Sequence, residues 1–388
     1  MSQLPPITLL GLGLGNFKNQ FSSLPKVLRN PAKKFFDKFL SSSSWSTNFE
    51  RDLSTHLGRK VGLFDAETFD PRFVKKYKEF FAPGAIIANL GTPVKGIKGK
   101  TIGLPVNTAK DTRMWENKLN EANFLKGILP ETYSVPQLAK EFGINMRAAN
   151  AGTLLQQAAK KKFGNKFLFK PITSYQTNPS AFPTQQSSAE ELISTLRSGI
   201  RGNTGDVFGK GYKNWIVQKK LDLKSPNLLD RALGIIAPAG TGAREYRIHT
   251  LGNKVVPYAS TYRGSARMVT PWATKEQLNA ERHLQSLLSK HLDKRFHNTP
   301  FAFDVVIGKN GIPIPIEANP ATLGGASGLV STPHITDAIL SHLGNKTPIY
   351  ILRQRALEQT AKNTAKGTLA GASVLAPSIY SSYNAIDS

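Results

Sequence analysis

The chain contains no cysteine. Disulfide bridges, thiolate metal sites and a cysteine nucleophile are therefore excluded, and the redox compartment stays undecided. Acidic residues are scarce: 26 Asp and Glu stand against 51 Lys and Arg, a formal net charge of +25. A field of that sign attracts polyanions such as nucleic acid, acidic polymers or an anionic membrane, and nucleotides more weakly; the bland alternative is a solvated, solubilising face. Long apolar runs are also missing. Ile7–Gly15 (ITLLGLGLG) is too short to span a bilayer, and no basic residue precedes it as in a secretory signal. Its alternating glycines lack the third-glycine spacing of the dinucleotide fingerprint, and no strand is expected ahead of them. Aromatic-interleaved single-strand binding modules are not evident, so any nucleic-acid binding would be mainly electrostatic.

What is present is a globular composition. The 388 residues are 40% hydrophobic and 20% charged, enough for two or three domains, with Gly 32 and Pro 24 marking loop-rich parts. Residues 1–60 read as a basic N-terminal extension. Within it, Val27–Leu40 forms a short basic amphipathic helix that packs on a neighbouring domain or touches a membrane or partner. Ser41–Ser44 reads as a linker. Residues 61–130 read as a small α/β lead-in domain with a strand at Ala85–Leu90 and helical character from Lys110 to Lys126. Further helices are expected over Asn150–Lys162, after the Ser187–Glu191 capping box, over Thr274–Phe296 with a Thr274/Gln277 cap, and over Ile335–Leu343. The glycine-rich basic stretch Gly199–Lys213 reads as a loop. Residues 346–388 read as a basic, small-residue tail.

The densest chemistry lies in Phe301–Val330. Phe301, Phe303, Val305 and Ile307 alternate with Ala302, Asp304 and Val306, as a strand requires. Gly308–Gly311 reads as a hairpin turn, and the return strand puts Pro315, Glu317 and Asn319 on one face. If Ile307 pairs with Ile312, Asp304 lies opposite Pro315 and diagonal to Glu317, about 7–8 Å away. A hard cation bridges such a gap, and without one the two carboxylates would repel and raise a pKa. The bland alternative is a hairpin with one exposed acidic face.

This stretch resembles the metal-binding end of the ATP-grasp ligases: an Asp, then acidic–x–Asn on the next strand, then a small-residue loop, here Asp304, Glu317, Asn319 and Gly324-Gly325-Ala326-Ser327. Upstream, NKLNEANFLKGILPETYSV resembles the family's Lys-led helix ending in a Pro–x–Thr turn, with Lys118 as that lysine. KFLFKP resembles the nucleotide-binding strand, with Lys170 at its end. The family's glycine-rich phosphate lid is replaced by Ile172–Thr177, which puts the lid in doubt. Trp215–Gln218 resembles the strand leading to the adenine site, which would use Gln218, where Glu is commoner, and the backbone from Lys219 to Leu221. REYRIHTLGNKVVPYASTYR resembles the second hairpin, especially of amino-acid ligases. Glu245 would meet the ribose, and Arg247 and Arg263 the phosphates or the acyl group, while His249 reads as a structural strand residue more than as a base.

The resemblance implies an α+β ATP-grasp fold, two α+β sub-domains clasping ATP behind the lead-in domain. Residues 131–220 would be the first sub-domain and 221–345 the second, with the metal site. The implied activity is an ATP-dependent carboxylate–amine, or carboxylate–nucleophile, ligase working through an acyl-phosphate, with two Mg²⁺ ions or Mn²⁺. The substrates would be a small-molecule or peptide carboxylate and an amine, and the expected location is the cytoplasm. Two alternatives stand beside it: a non-catalytic polyanion-binding protein on the same fold, and a phosphotransferase built on the same clasp.

Overall fold

Among the described residues three sheets and a two-stranded ribbon carry the architecture. The computed structural model describes residues 5–10, 51, 53–55, 57–64, 77–82, 84–89, 117–173, 181–202, 205–224, 245–256, 260–263, 275–297, 299–320 and 338–343. The expected Val27–Leu40 helix, the Ser41–Ser44 linker, the Thr274 cap, the small-residue loop after Asn319 and the tail 346–388 lie outside these residues. Among the described residues no helix is long and apolar enough to cross a membrane.

The first sheet is parallel. Strand β1 (Ile7–Leu10) lies between β2 (Val61–Phe64) and β3 (Ile86–Asn89). Its residues are mostly β-branched or apolar, which suits a strand paired on both edges. Thr8 donates its hydroxyl to Phe80 O at 2.6 Å, so the one polar side chain of the pair Ile7–Thr8 is satisfied inside. Residues 7–10, within the stretch read from the sequence as an N-terminal extension, form the middle strand of this sheet, and a strand does precede Gly11.

The second sheet has the antiparallel order β4 (Thr132–Ser134), β8 (Trp215–Lys219), β5 (Phe167–Pro171). Phe167 and Phe169 alternate into a core with Trp215 and Val217, covered by α2 (Val135–Glu141), α3 (Ala151–Phe163) and α4 (Ala189–Ser198). Lys170 consequently points to the opposite face. The capping box of α2, Ser134 with Gln137, and the Ser188 cap of α4 set where those helices begin. The glycine-rich stretch expected as a loop carries a short ribbon, β6 (Ile200–Arg201) with β7 (Val207–Phe208), and Trp215 Nε1 donates to Gly209 O beneath it.

The third sheet has the order β10 (Lys254–Val255), β9 (Glu245–Leu251), β12 (Pro300–Ile307), β13 (Pro313–Pro320), with β11 (Thr261–Arg263) also on β9. One face packs Tyr246, Ile248, Phe301, Phe303 and Val305 under Ala280, Leu284 and Leu288 of α5 (Lys275–His291). Helix α1 (Lys118–Phe124), which the sequence reading places in the lead-in segment, feeds Leu125, Ile128 and Leu129 into this same core. All eight residues of β12 are buried, so both faces of this central strand are covered. The connection after β8 ties the second sheet to the third: Lys220 N–H donates to Lys166 O, Lys309 N–H to Asp222 O and Lys224 N–H to Ile307 O, at 2.8–2.9 Å.

The β12–β13 register differs from the sequence expectation. Ile307 pairs with Pro313, and a bulge between Asp304 and Val305 shifts it once more, so Asp304 lies directly opposite Glu317. The physical reason is a longer turn, closed by Gly308 N–H to Ile312 O at 2.9 Å with Gly311 at φ 80°, followed by one unpaired residue that resets the alternation.

Candidate active site

Helix α1 starts where Asn117 caps it, accepting from the Leu119 and Asn120 amides at 3.0 and 3.2 Å. Lys118 is thereby the first helical residue, and its own N–H donates to Ile172 O at 2.9 Å, just past the end of β5. The start of α1 and the end of β5 are pinned together, which gathers Lys118 and Lys170. Lys118 Nζ pairs with Glu317 Oε1 on β13 and lies 3.4 Å from Glu121 Oε2, three residues along α1. Glu121 Oε1 in turn accepts the Ala318 N–H at 2.5 Å. The helix thus grips β13 between Glu317 and Asn319.

The charges in this cluster set one another. Burial works against the Lys118 ammonium, but Glu121 and Glu317 outweigh it and hold its pKa above the ordinary lysine value. Burial would raise Glu317, yet Lys118 above all, then Lys170 and Arg247, depress it to about 2. Glu121 goes the other way: burial, with Glu317 added, pushes it up to about 7 despite Lys118. Lys170 is pushed down to about 8 by burial and by the Lys118 charge. It forms no salt bridge among the described residues, its carboxylate neighbours Glu121 and Glu317 being engaged by Lys118.

A second cluster continues across the sheet. Arg247 on β9 lies opposite Asp304 on β12, which lies opposite Glu317 on β13. The guanidinium grips the carboxylate with both prongs, Nε to Oδ1 at 2.9 Å and Nη2 to Oδ2 at 3.0 Å. Asp304 is fully buried, and this fork gives each of its two oxygens a hydrogen-bond partner. Burial opposes the Arg247 charge, but Asp304 outweighs it and raises the pKa. Asn319 Nδ2 lies 3.4 Å from Asp304 Oδ2.

The expected repulsion between bare carboxylates is not what the site contains. Asp304 and Glu317 each have a cation, and the raised carboxyl is Glu121, absent from the sequence reading. Its only signal there was the i, i+3 spacing from Lys118, common on helix surfaces. Among the described residues no three His, Cys, Asp or Glu form a metal cluster. The oxygen-only set Asp304, Glu317 and the Asn319 amide still fits a hard divalent cation in kind, since Mg²⁺ takes one or two carboxylates and draws its other ligands from phosphates and water.

The remaining expected residues fall around these clusters. Gln218 sits on β8, pairing with Thr132 and Leu168, and donates Nε2 to the Thr132 hydroxyl. That puts it on the same face of its sheet as Lys170, two residues across the ladder. Lys219 ends β8 with its side chain exposed, and Leu221 lies in the connection to the third sheet. Glu245 is buried at the start of β9, on the Arg247 face. Arg263 pairs with Glu245 in the β11–β9 register, and its side chain lies outside the described residues. The structure therefore gathers Lys118, Lys170, Glu317, Asp304, Asn319 and Arg247, with Glu245 on the Arg247 face of β9 and Gln218 on the Lys170 face of the second sheet.

No family model matches the chain, and no curated protein matches it. Among solved structures, it is similar to N5-carboxyaminoimidazole synthetase from Staphylococcus aureus, 13% identical over 90% of this chain and 80% of that one, with a TM-score of 0.41. It is similar to an L-amino acid ligase from Bacillus licheniformis, 14% identical over 84% of this chain and 69% of that one, TM-score 0.36. The macrocyclase MdnC of Microcystis aeruginosa MRC, bound with its precursor peptide MdnA, is 10% identical over 87% of this chain and 99% of that one, TM-score 0.36.

Proposed function

We propose that the chain is an ATP-dependent carboxylate–amine ligase of the ATP-grasp kind, with the facing surfaces of the second and third sheets as the clasp. The observation that carries this reading is Lys170. Its ammonium is held at a strand end beside Lys118, depressed to about 8 by burial and a like charge, with no salt bridge among the described residues. A cation so held is under-compensated, and a polyphosphate is the anion that would complete it.

The roles follow from position. Lys170 and Lys118 would bind phosphate oxygens from the β5–α1 side. Gln218 and the backbone from Lys219 to Leu221 would meet the adenine, next to the connection that joins the sheets, and Glu245 the ribose. Asp304, Glu317 and Asn319 would hold Mg²⁺ as two ions, which when bound neutralises the phosphate charge. Arg247, fixed by Asp304, and Arg263 in the register beside Glu245 would face the transferring phosphoryl group and the acyl oxygen, where a planar donor fork suits an oxyanion. The acceptor carboxylate attacks the γ-phosphorus, ADP leaves, and the acyl-phosphate so formed is opened by an amine with release of phosphate. Nothing in these steps requires a covalent enzyme intermediate, which agrees with the absence of cysteine and with catalysis by positioning and charge.

The test is ADP release from Mg·ATP by the full chain against a pool of amino acids and acidic peptides, with mass spectrometry of the products. An amide product with stoichiometric ADP supports the ligase. A phosphorylated hydroxyl in place of an amide replaces it with a phosphotransferase, and no turnover with any acceptor contradicts both.

A further inference from the structure

Strand β13 ends the order of its sheet among the described residues, so the outer edge of its backbone meets no further strand there. Alternate residues of a strand direct their N–H groups to the same edge. Ala318 directs its N–H outward, to Glu121 Oε1 at 2.5 Å. The next residue of that phase is Pro320, which has no N–H. Ala318 is therefore the last outward donor of β13. Its neighbours Glu317 and Asn319 share one face of the strand, while Ala318 itself is buried in the core that α5 covers. The residue between the two is thus held on two sides, by the core and by Glu121.

Glu121 closes a circuit. It is 2% exposed, and its Oε2 stands 3.4 Å from Lys118 Nζ. That ammonium also pairs with Glu317 Oε1. From Ala318 the contacts run through Glu121 and Lys118 back to Glu317, the adjacent residue. On the ligase reading, Lys118 belongs to the phosphate arm of the site, and Glu317 and Asn319 belong to the metal arm. Glu121 has a place in neither, both of its oxygens being engaged by the chain itself. Groups that orient metal-ligating side chains from behind typically govern metal affinity by about 10–100-fold.

We propose that Glu121 is a positioning residue for the metal arm: by holding the Ala318 N–H it fixes the backbone between Glu317 and Asn319, and so the spacing of their oxygens around a cation. This rests on the ligase reading and deepens it, since that reading gives Glu121 no role.

Two substitutions separate reach from charge. Glu121→Gln keeps the acceptor in place and removes the charge. Glu121→Asp keeps the charge and draws the oxygens back by about 1.5 Å, one carbon–carbon bond, away from Ala318. The full chain and both variants are titrated by calorimetry with the non-hydrolysable ATP analogue AMPPNP, once with Mn²⁺ and once in EDTA. The ratio of the two Kd values is the gain from the metal. Wild type and Glu121→Gln should share that gain within about threefold. Glu121→Asp should lose at least about tenfold of it, with its Kd in EDTA within about threefold of wild type. The Mn²⁺ electron paramagnetic resonance line shape of the complex should match between wild type and Glu121→Gln and change in Glu121→Asp. A Glu121→Asp protein that melts lower but keeps the gain makes Glu121 a structural tie and overturns the proposal. A loss of the gain in Glu121→Gln makes its charge the cause and overturns it as well. A wild-type chain with no gain from Mn²⁺ sinks the metal assignment and the ligase reading, and this inference with them. A gain in wild type that both variants keep sinks the inference alone.

Discussion

Glu121→Gln gives a stability change whose size and sign follow from the structure. Glu121 is buried at 2% exposure, between Lys118 Nζ and the Ala318 N–H. Its carboxyl is raised from the ordinary 4.5 to about 7, by burial first and by Glu317. The folded state therefore holds the proton more tightly than the unfolded chain. Stability from this group is fully present below about pH 4.5, falls as pH rises, and is lost above about pH 7. The gap corresponds to about 3 kcal/mol. Gln keeps the acceptor for Ala318 and does not titrate. Relative to wild type, the variant should be nearly equal near pH 4.5 and about 3 kcal/mol more stable near pH 8. Urea unfolding of both proteins from pH 4.5 to pH 7 reads the difference, distant titrating groups cancelling in the subtraction and Lys170, which feels the Glu121 charge, remaining protonated over most of that range. A difference that stays constant with pH, or that moves against the variant as pH rises, would refute the buried-carboxyl account of α1 and β13.

Three further outcomes are expected. Lys170, depressed to about 8, loses its charge as pH rises through that value, so Mg·ATP affinity should weaken above about pH 8 in wild type and be weaker but flat in pH in Lys170→Met, as titration calorimetry at several pH values would record. Arg247→Lys keeps the charge but loses the two-pronged grip on the fully buried Asp304, and should cost about 2–4 kcal/mol in urea unfolding as well as turnover. The net charge of +25 predicts heparin binding that falls steeply between low and physiological salt; affinity flat in salt would remove a polyanion partner.

The sequence made strands and their faces readable wherever one face is apolar. Phe301, Phe303 and Val305 in β12 alternate cleanly, so Asp304 was assigned to the opposite face before any contact was known, whereas Lys170 was placed only at the end of its strand. Register was harder to read. A turn one residue longer than expected and a bulge beside Asp304 change which residue stands opposite, and neither leaves a compositional mark, since Ile-Pro-Ile-Pro-Ile repeats on either phase. The pairing of Glu317 with Lys118, across 199 residues, was not expected: the resemblance gave Lys118 a phosphate role and Glu317 a metal role, and no local pattern joins them. Glu121 was missed because an acidic residue one turn after a lysine on a helix is ordinarily a solvated pair. In the folded chain it is buried, with Lys118 on one oxygen and the Ala318 amide on the other. Strand β1 was missed because four residues followed by alternating glycines give too short a run to distinguish from an apolar loop. His249 was recognised as a strand residue, as its place in β9 shows.

The central claim is that Lys118, Lys170 and Glu317 form a site for a metal-bound nucleotide. Its most direct test is calorimetric titration of Mg·ATP into the wild-type chain and into Glu317→Gln, a substitution that keeps the side-chain shape and removes one metal-ligating charge. The account predicts saturable one-to-one binding by wild type and at least about tenfold weaker binding by Glu317→Gln at the same magnesium concentration. No binding by wild type, or equal affinity in both proteins, would contradict it.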